Sequence, residues 1–272
     1  MRFNILLHTN FSDRRIPINY QYPLSSAIYR IISKGDGEYA KFLHETGYGK
    51  KGFKLFTFSQ INCPFKISGD RMELLTNELL FQVSFHLPEA METFIKGLFL
   101  SEKVDIADSR SKVSFTVKSI ERLPNLLGDS NEGEMINIST RPTSPIVAGV
   151  QNEKGYYDFL SPDNRLFTES LIHNWRSKIS TCYDDATAES ALLMMEVFSM
   201  KNPFKSRLIT IKSGKPEETK IRGWLNLGLK ITGERRFVEL LLNAGTGVYS
   251  SQGMGFLESF SCDILPSTVT RT

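Results

Sequence analysis

A glycine run near the end of the chain constrains its fold most: Gly245-Thr246-Gly247-Val248-Tyr249-Ser250-Ser251-Gln252-Gly253-Met254-Gly255. Four of its eleven residues are glycine, and five more carry a hydroxyl or an amide. Without a Cβ, glycine lets backbone N–H groups approach a ligand such as phosphate. The order of the flanks matters more. An apolar helical stripe precedes the run (Phe237, Leu240, Leu241, Ala244), and a strand pattern follows from Met254 to Phe260. Dinucleotide and P-loop motifs need strand, loop, then helix N-terminus, and P-loops end in Gly-Lys-Ser/Thr. Phosphate held here is expected to belong to a polymer.

The 272 residues suit one large domain or two small ones. With 40% hydrophobic and 23% charged residues, the composition is that of an ordinary soluble globular protein. The net charge of +3 does not by itself point to nucleic acid, but its distribution is uneven. Residues 201–236 hold ten Lys/Arg against three Glu, a net of +7, which leaves −4 for the rest. That zone fits contact with a phosphate backbone and equally a solvated sheet edge guarded by lysines. Phosphate contacts are expected from Lys205, Arg207, Arg222, Arg235 and Arg236 in particular.

Three separated cysteines and four scattered histidines offer no zinc spacing, so neither a metal nor another cofactor is expected. The N-terminus opens on a strand-like run rather than a signal sequence. No apolar run reaches the roughly 20 residues that span a bilayer. A cytoplasmic location and no membrane partner are the expectation.

The chain reads as two halves with one rhythm. Residues 1–123 begin with a strand over Arg2–His8. A helix from Pro23 carries Leu24, Ile28 and Ile31/Ile32, and a short helix runs from Glu38 to Glu45. Strands are expected over 55–61, 71–75 and 80–86, then a helix from Pro88, then strands over 104–107 and 113–120. Residues 124–134 are rich in Pro, Gly, Asn and Asp and read as a linker. The second half, 135–272, starts with a strand over 135–139. A helix capped by Ser161-Pro162-Asp163 follows, with Phe167, Leu171, Trp175 and Ile179 as its stripe. Leu192–Ser199 fits helix or strand, while 207–211 and 224–231 alternate as strands. Thr232 is expected to cap the last helix, and Gly245 to end it in a left-handed conformation. Each half thus approximates β-α-β-β-α-β, giving an α+β protein of two tandem ferredoxin-like domains. The aromatic RNP strand typical of single-strand readers is missing from the sequence.

One set of side chains fits metal-free RNA cleavage. Tyr29 lies on the first helix and His44 near the end of the second. The loop Thr46-Gly47-Tyr48-Gly49-Lys50-Lys51-Gly52-Phe53 and then Lys54 follow. Histidine titrates near neutrality and serves as acid or base. Lysine matches the charge of a developing phosphorane, and a tyrosine hydroxyl orients a nucleophile or phosphate oxygen. The plain alternative is a helix-end histidine beside solvated lysines. His8, His86 and His173 read as structural.

Met1-Arg2-Phe3, Tyr22 to Arg30, Leu43-His44-Glu45, the block Phe53-Lys54-Leu55-Phe56-Thr57-Phe58-Ser59 and the terminal glycine run together resemble the CRISPR-associated endoribonucleases of the RAMP superfamily, the "Cas six" family. These enzymes cut precursor CRISPR RNA within its repeats. The resemblance spans the chain nearly end to end. It implies His44 as general acid/base, Lys54 as transition-state stabiliser and Tyr29 as base or orienting group. Lys50 or Lys51 is open as a substitute for Lys54. It further implies a metal-independent reaction leaving 2′,3′-cyclic phosphate and 5′-hydroxyl ends. Repeat RNA is the implied partner, held by Lys50, Lys51 and the backbone of Gly245, Gly247, Gly253 and Gly255. A CRISPR effector complex is a further implied partner, and a homodimer is left open. The glycine run by itself marks only the superfamily, so a non-catalytic RNA-binding subunit is the alternative reading.

Overall fold

The computed structural model describes residues 1–12, 14–101, 103–200, 203–213 and 216–264. Lys201 and Lys215 of the basic stretch lie outside them. The first half runs β1 (Arg2–His8), β2 (Arg15–Pro17), α1 (Gln21–Gly35), α2 (Gly37–Glu45), β3 (Phe56–Phe58), β4 (Phe65–Ser68), β5 (Arg71–Leu74), β6 (Glu78–Phe85), α3 (Pro88–Phe99), β7 (Val104–Ala107) and β8 (Lys112–Arg122). Its main sheet has the order β3-β6-β1-β8-β7, all antiparallel, with β1 in the middle. Removing the edge strand β7 leaves the ferredoxin-like arrangement. A small sheet, β2-β5-β4, is added beside it.

Alternation explains β1: Phe3, Ile5 and Leu7 are buried on one face. The stripe Leu24, Ile28, Ile31 and Ile32 is buried on α1. Helices α1 and α3 cross closely at two glycines. A Cβ on Gly35 would lie 2.1 Å from the Thr93 carbonyl oxygen, and one on Gly97 would lie 1.8 Å from that of Ile31. The Asp36 side chain caps α2 by accepting from the Tyr39 N–H at 2.9 Å.

The second half runs β9 (Met135–Pro142), β10 (Gly149–Gln151), β11 (Tyr157–Phe159), α4 (Arg165–Cys182), α5 (Asp185–Ser190), β12 (Met194–Ser199), β13 (Ser206–Ile211), β14 (Thr219–Trp224), β15 (Leu227–Glu234), α6 (Arg235–Ala244) and β16 (Leu257–Ile264). Its sheet, β12-β15-β9-β16, repeats the order of the first half, and β10-β11 and β13-β14 form separate hairpins. The α4 stripe Phe167, Leu171, Trp175 and Ile179 is fully buried. The Trp175 indole donates to the Phe237 carbonyl at 2.8 Å, which ties α4 to α6. No helix among the described residues is long and apolar enough to cross a membrane.

Several boundaries differ from the sequence reading. Helix α4 starts after Asn164, whose side chain accepts from Leu166 N–H, because Ser161 to Asn164 closes a turn first. The alternation over 224–231 is broken after Trp224, since β14 pairs with β13 while β15 pairs with β12 and β9. Thr232 does not cap α6; it lies within β15 and accepts from the Asn137 amide at 3.0 Å. Leu192–Ser199 resolves into strand β12 from Met194. Gly245 has φ 82° and ψ 156°, a mirror-extended conformation rather than a left-handed helical one.

Candidate active site

The two halves meet along β3, β6 and the glycine run. Ser84 donates to the Asn243 carbonyl at 3.0 Å, and Thr57 to the Met254 carbonyl at 2.8 Å. The buried Arg2 donates to the Leu257 carbonyl and lies over the Phe256 ring at 4.1 Å. The glycine run therefore lies against the first half rather than in open solvent.

Tyr29 and His44 are brought together by α1 packing on α2. Their rings meet edge to face, 5.2 Å between centroids, and the Tyr29 ring also sits edge-on to Phe56 at 5.6 Å. His44 is exposed in the last turn of α2. Burial pushes the Tyr29 hydroxyl up to about 12, and the nearby Ser251 side chain of the glycine run offsets this only in part. Near neutral pH the Tyr29 hydroxyl keeps its proton and can donate a hydrogen bond.

The segment 46–55 connects α2 to the second half. Tyr48 and Phe53 pair across it, and Gly47, Gly49 and Gly52 all have positive φ. A Cβ on Gly49 would reach the Thr181 side chain of α4 at 2.4 Å. The Lys51 ammonium shares a 3.0 Å hydrogen bond with His173 and donates to Ser177 at 2.9 Å, both on α4. Lys54 donates to the His44 carbonyl at 3.0 Å, and its partial burial lowers its ammonium pKa. Lys50 is exposed and makes no hydrogen bond to the described residues. Leu55, next to Lys54, is a non-glycine residue at φ 51°. It is buried in the core of the second half while His86 N–H donates to its carbonyl. Left-handed strain in a buried leucine persists only where surrounding packing enforces it. Here it anchors the chain directly behind Lys54.

The glycine run is bent by four glycines of positive φ and by Tyr249 at φ 61°. A Cβ on Gly253 would lie 2.3 Å from the Phe58 ring, and one on Gly247 would lie 2.2 Å from the Val147 carbonyl oxygen. The N–H groups of Gly253 and Gly255 donate to the carbonyls of Ser250 and Pro145. The α-carbons of these glycines thus face protein. Beneath the run, Lys178 of α4 is buried and donates to the Gly245 carbonyl at 2.5 Å. Burial holds its ammonium down to about 7.

Between the halves lies a cleft of about 820 Å³, whose walls include Lys51, Lys54, His173, Lys178, Tyr157 and Tyr249. The sequence reading placed Lys51 and Lys54 near the site but missed the α4 wall. His173, read as structural, faces this cleft, with a pKa lowered by burial and then by Lys51. Asn174 is buried on the same wall, and its side-chain oxygen accepts no hydrogen bond among the described residues. Lys178 had a visible signal: it follows Trp175 by three residues and Leu171 by seven, placing a lysine on an apolar helix face.

The basic zone is divided. Lys205 and Arg222 are exposed on and beside the β13-β14 hairpin, where Arg222 donates to the Ser206 hydroxyl at 2.8 Å. Arg207 of the same hairpin donates to the Ile18 carbonyl at 3.1 Å in the first half. Arg235 and Arg236 begin α6, at the helix end away from the glycine run. They pair with Glu239 at 3.2 Å and Glu234 at 2.8 Å.

The structure has two tandem ferredoxin-like units, with a glycine-rich loop between the last helix and last strand of the second. Sequence comparison adds the family. The model for "CRISPR-associated protein Cas6, N-terminal" matches residues 15–121, and that for "CRISPR associated protein Cas6, C-terminal" matches residues 128–259. The chain is 32% identical to the "CRISPR-associated endoribonuclease Cas6 1" of Methanocaldococcus jannaschii, over 68% of each protein. It is 30% identical to the "CRISPR-associated endoribonuclease Cas6" of Pyrococcus furiosus, over 68% of this chain and 66% of that one. A structure solved as "CRISPR associated protein Cas6" superposes with a TM-score of 0.68 at 25% identity, over 96% of this chain and 99% of the other. The chain belongs to the Cas6 family.

Proposed function

We propose that this protein is an endoribonuclease that cuts precursor CRISPR RNA within its repeats, without a metal ion. The observation that carries the reading is the edge-to-face meeting of Tyr29 and His44 at 5.2 Å, with Lys54 on the His44 carbonyl. The names of the relatives at 32% and 30% identity support the reaction class.

The chemistry needs no other group. The ribose 2′-OH attacks the adjacent phosphorus and gives up its proton, and the P–O5′ bond breaks. The leaving 5′-oxygen takes a proton, so the ends are a 2′,3′-cyclic phosphate and a 5′-hydroxyl. His44 moves a proton, because an imidazole exchanges one near neutral pH. Tyr29, protonated, orients an oxygen of the substrate. Lys54 offsets the charge of the phosphorane, and Lys50, exposed and uncommitted, and Lys51 are the other amines within the same loop. Repeat RNA would be held by these lysines and by the hairpin cations Lys205, Arg207 and Arg222, while the glycine run, packed against protein, positions the site.

The test is incubation with a repeat RNA in EDTA, comparing wild type, His44→Ala and a substrate with 2′-deoxyribose at the cut. A single cut that is lost in both altered cases, with binding retained, supports the reading. RNA binding without any cut would instead favour the non-catalytic subunit, in which an exposed His44 merely ends a helix.

A further inference from the structure

One buried group of this site has no part in the cleavage chemistry. Lys178 is only 2% exposed and has no carboxylate partner among the described residues. Its ammonium donates to the Gly245 carbonyl at 2.5 Å and lies 3.5 Å from the Gly247 carbonyl and 3.4 Å from the Ser250 hydroxyl. All three acceptors belong to the glycine run. On its other side is the Phe53 ring, 5.8 Å from the nitrogen. A buried nitrogen of this kind must keep its acceptors, because an unpaired polar group away from water is costly. The loop and the helix are therefore coupled in position.

The coupling continues into the first half. Ser251 follows Ser250, and its carbonyl accepts from the Ser25 hydroxyl at 2.7 Å. Ser25 lies one turn before Tyr29 on α1. Tyr29 in turn meets His44. We propose that Lys178 is a positioning residue that bolts the glycine run to α4 and, through Ser250, Ser251 and the Ser25 hydroxyl, fixes the turn of α1 that sets Tyr29 against His44. Its effect on cleavage rests on the reading of Tyr29 and His44 as the cutting pair.

The charge on the bolt changes near neutral pH. Burial brings the Lys178 ammonium down to about 7. The titratable groups around it are Cys182, His173 and Glu169 on α4, Lys51 and Lys54 across the cleft, Tyr249 in the run and Tyr157 on β11. Cys182 is the one with an attractive effect, and burial pushes its thiol up to about 11, so it is neutral when Lys178 titrates. Above pH 7 the neutral amine keeps two N–H donors for the run at little desolvation cost. A charged amine is better hydrated, so protons favour the state in which the run has lifted and water reaches Lys178. The run is therefore held best above neutral pH and loosens as pH falls toward 7.

Amide hydrogen exchange without RNA tests the bolt. In wild type, exchange of residues 245–255, corrected for the intrinsic rate, should rise about tenfold between pH 8.5 and pH 6. Lys178→Met keeps the stem but removes the donors and cannot titrate. It should show no such rise, and at pH 8.5 should exchange faster than wild type, with β1 and β6 unchanged. Lys178→Gln, an uncharged donor on a shorter stem, should be equally flat in pH and slower than Lys178→Met. With repeat RNA at pH 8.5, Lys178→Met should slow single-turnover cleavage by about tenfold while Kd stays within about twofold. Exchange over 245–255 that is no faster in Lys178→Met than in wild type at pH 8.5 overturns the inference, and a wild-type run insensitive to pH overturns the titration of the bolt. A loosened run with full cleavage overturns the link to Tyr29. If wild type cuts no repeat RNA, the cleavage reading fails by itself and the exchange result still decides the bolt.

Discussion

The Tyr29 and His44 rings meet edge to face at 5.2 Å, and one turn before Tyr29 the Ser25 hydroxyl donates to the Ser251 carbonyl, more than two hundred residues away in the chain. His44→Ala should lower single-turnover cleavage by roughly 10²–10⁴-fold, the usual range for losing a general acid or base. Its Kd for repeat RNA should stay within about twofold of wild type. Measured rates at saturating enzyme decide this, and an unchanged rate removes His44 from the mechanism.

Tyr29 makes a different prediction. With its hydroxyl held up to about 12, it stays protonated at working pH. Tyr29→Phe should therefore reduce the rate without changing the shape of the pH–rate profile between pH 5 and about 10. A limb that vanishes in this variant would assign Tyr29 the base role instead.

The two glycines Gly253 and Gly69 separate packing from backbone strain. Both have positive φ, 77° and 61°, but a Cβ on Gly253 would strike the Phe58 ring at 2.3 Å while one on Gly69 meets nothing within 4 Å. Gly69→Ala should cost about 1–2 kcal/mol for the left-handed backbone. Gly253→Ala should cost a further ~1–3 kcal/mol for overpacking. Thermal denaturation checks the order; equal shifts would mean that the run yields freely from the first half.

Lys178 also has a stability signature. Its pKa falls from the ordinary 10.5 to about 7 on folding, so between these values the unfolded chain binds more protons than the folded one. Its contribution to stability is therefore full above 10.5 and is lost as pH falls toward 7. Urea denaturation at several pH values should show wild type gaining on Lys178→Met as pH rises through this window. A pH-independent difference would place the ammonium in contact with water.

Replacing Lys205, Arg207 and Arg222 together by Gln should weaken RNA binding and flatten its salt dependence, by somewhat under one unit of slope for each phosphate no longer neutralised. Fluorescence anisotropy across a salt series measures this. An unchanged slope would make these cations ordinary surface charge, with Arg207 serving only to hold the Ile18 carbonyl.

Local patterns in the sequence determined most of the architecture. The stripes Leu24-Ile28-Ile31 and Phe167-Leu171-Trp175-Ile179 and the alternation of Phe3, Ile5 and Leu7 are buried where their periods place them. These signals are readable because they arise within a few turns or a few strand residues. Tyr29, His44 and Lys54 also lie within 26 residues of one another, close enough for their grouping to show. The tertiary structure decided what lies opposite them. Packing of the glycine run on α4 brings Lys178 to Gly245, and docking of the second half on the first brings Lys51 to His173 and Ser251 to Ser25. These pairings span from 67 to more than two hundred residues and depend on which faces of distant elements meet. Tertiary packing turned Gly253 toward Phe58 of the first half and Gly247 toward Val147 of the second, a packing role that the spacing of glycines in a sequence does not distinguish from a bare loop open to phosphate.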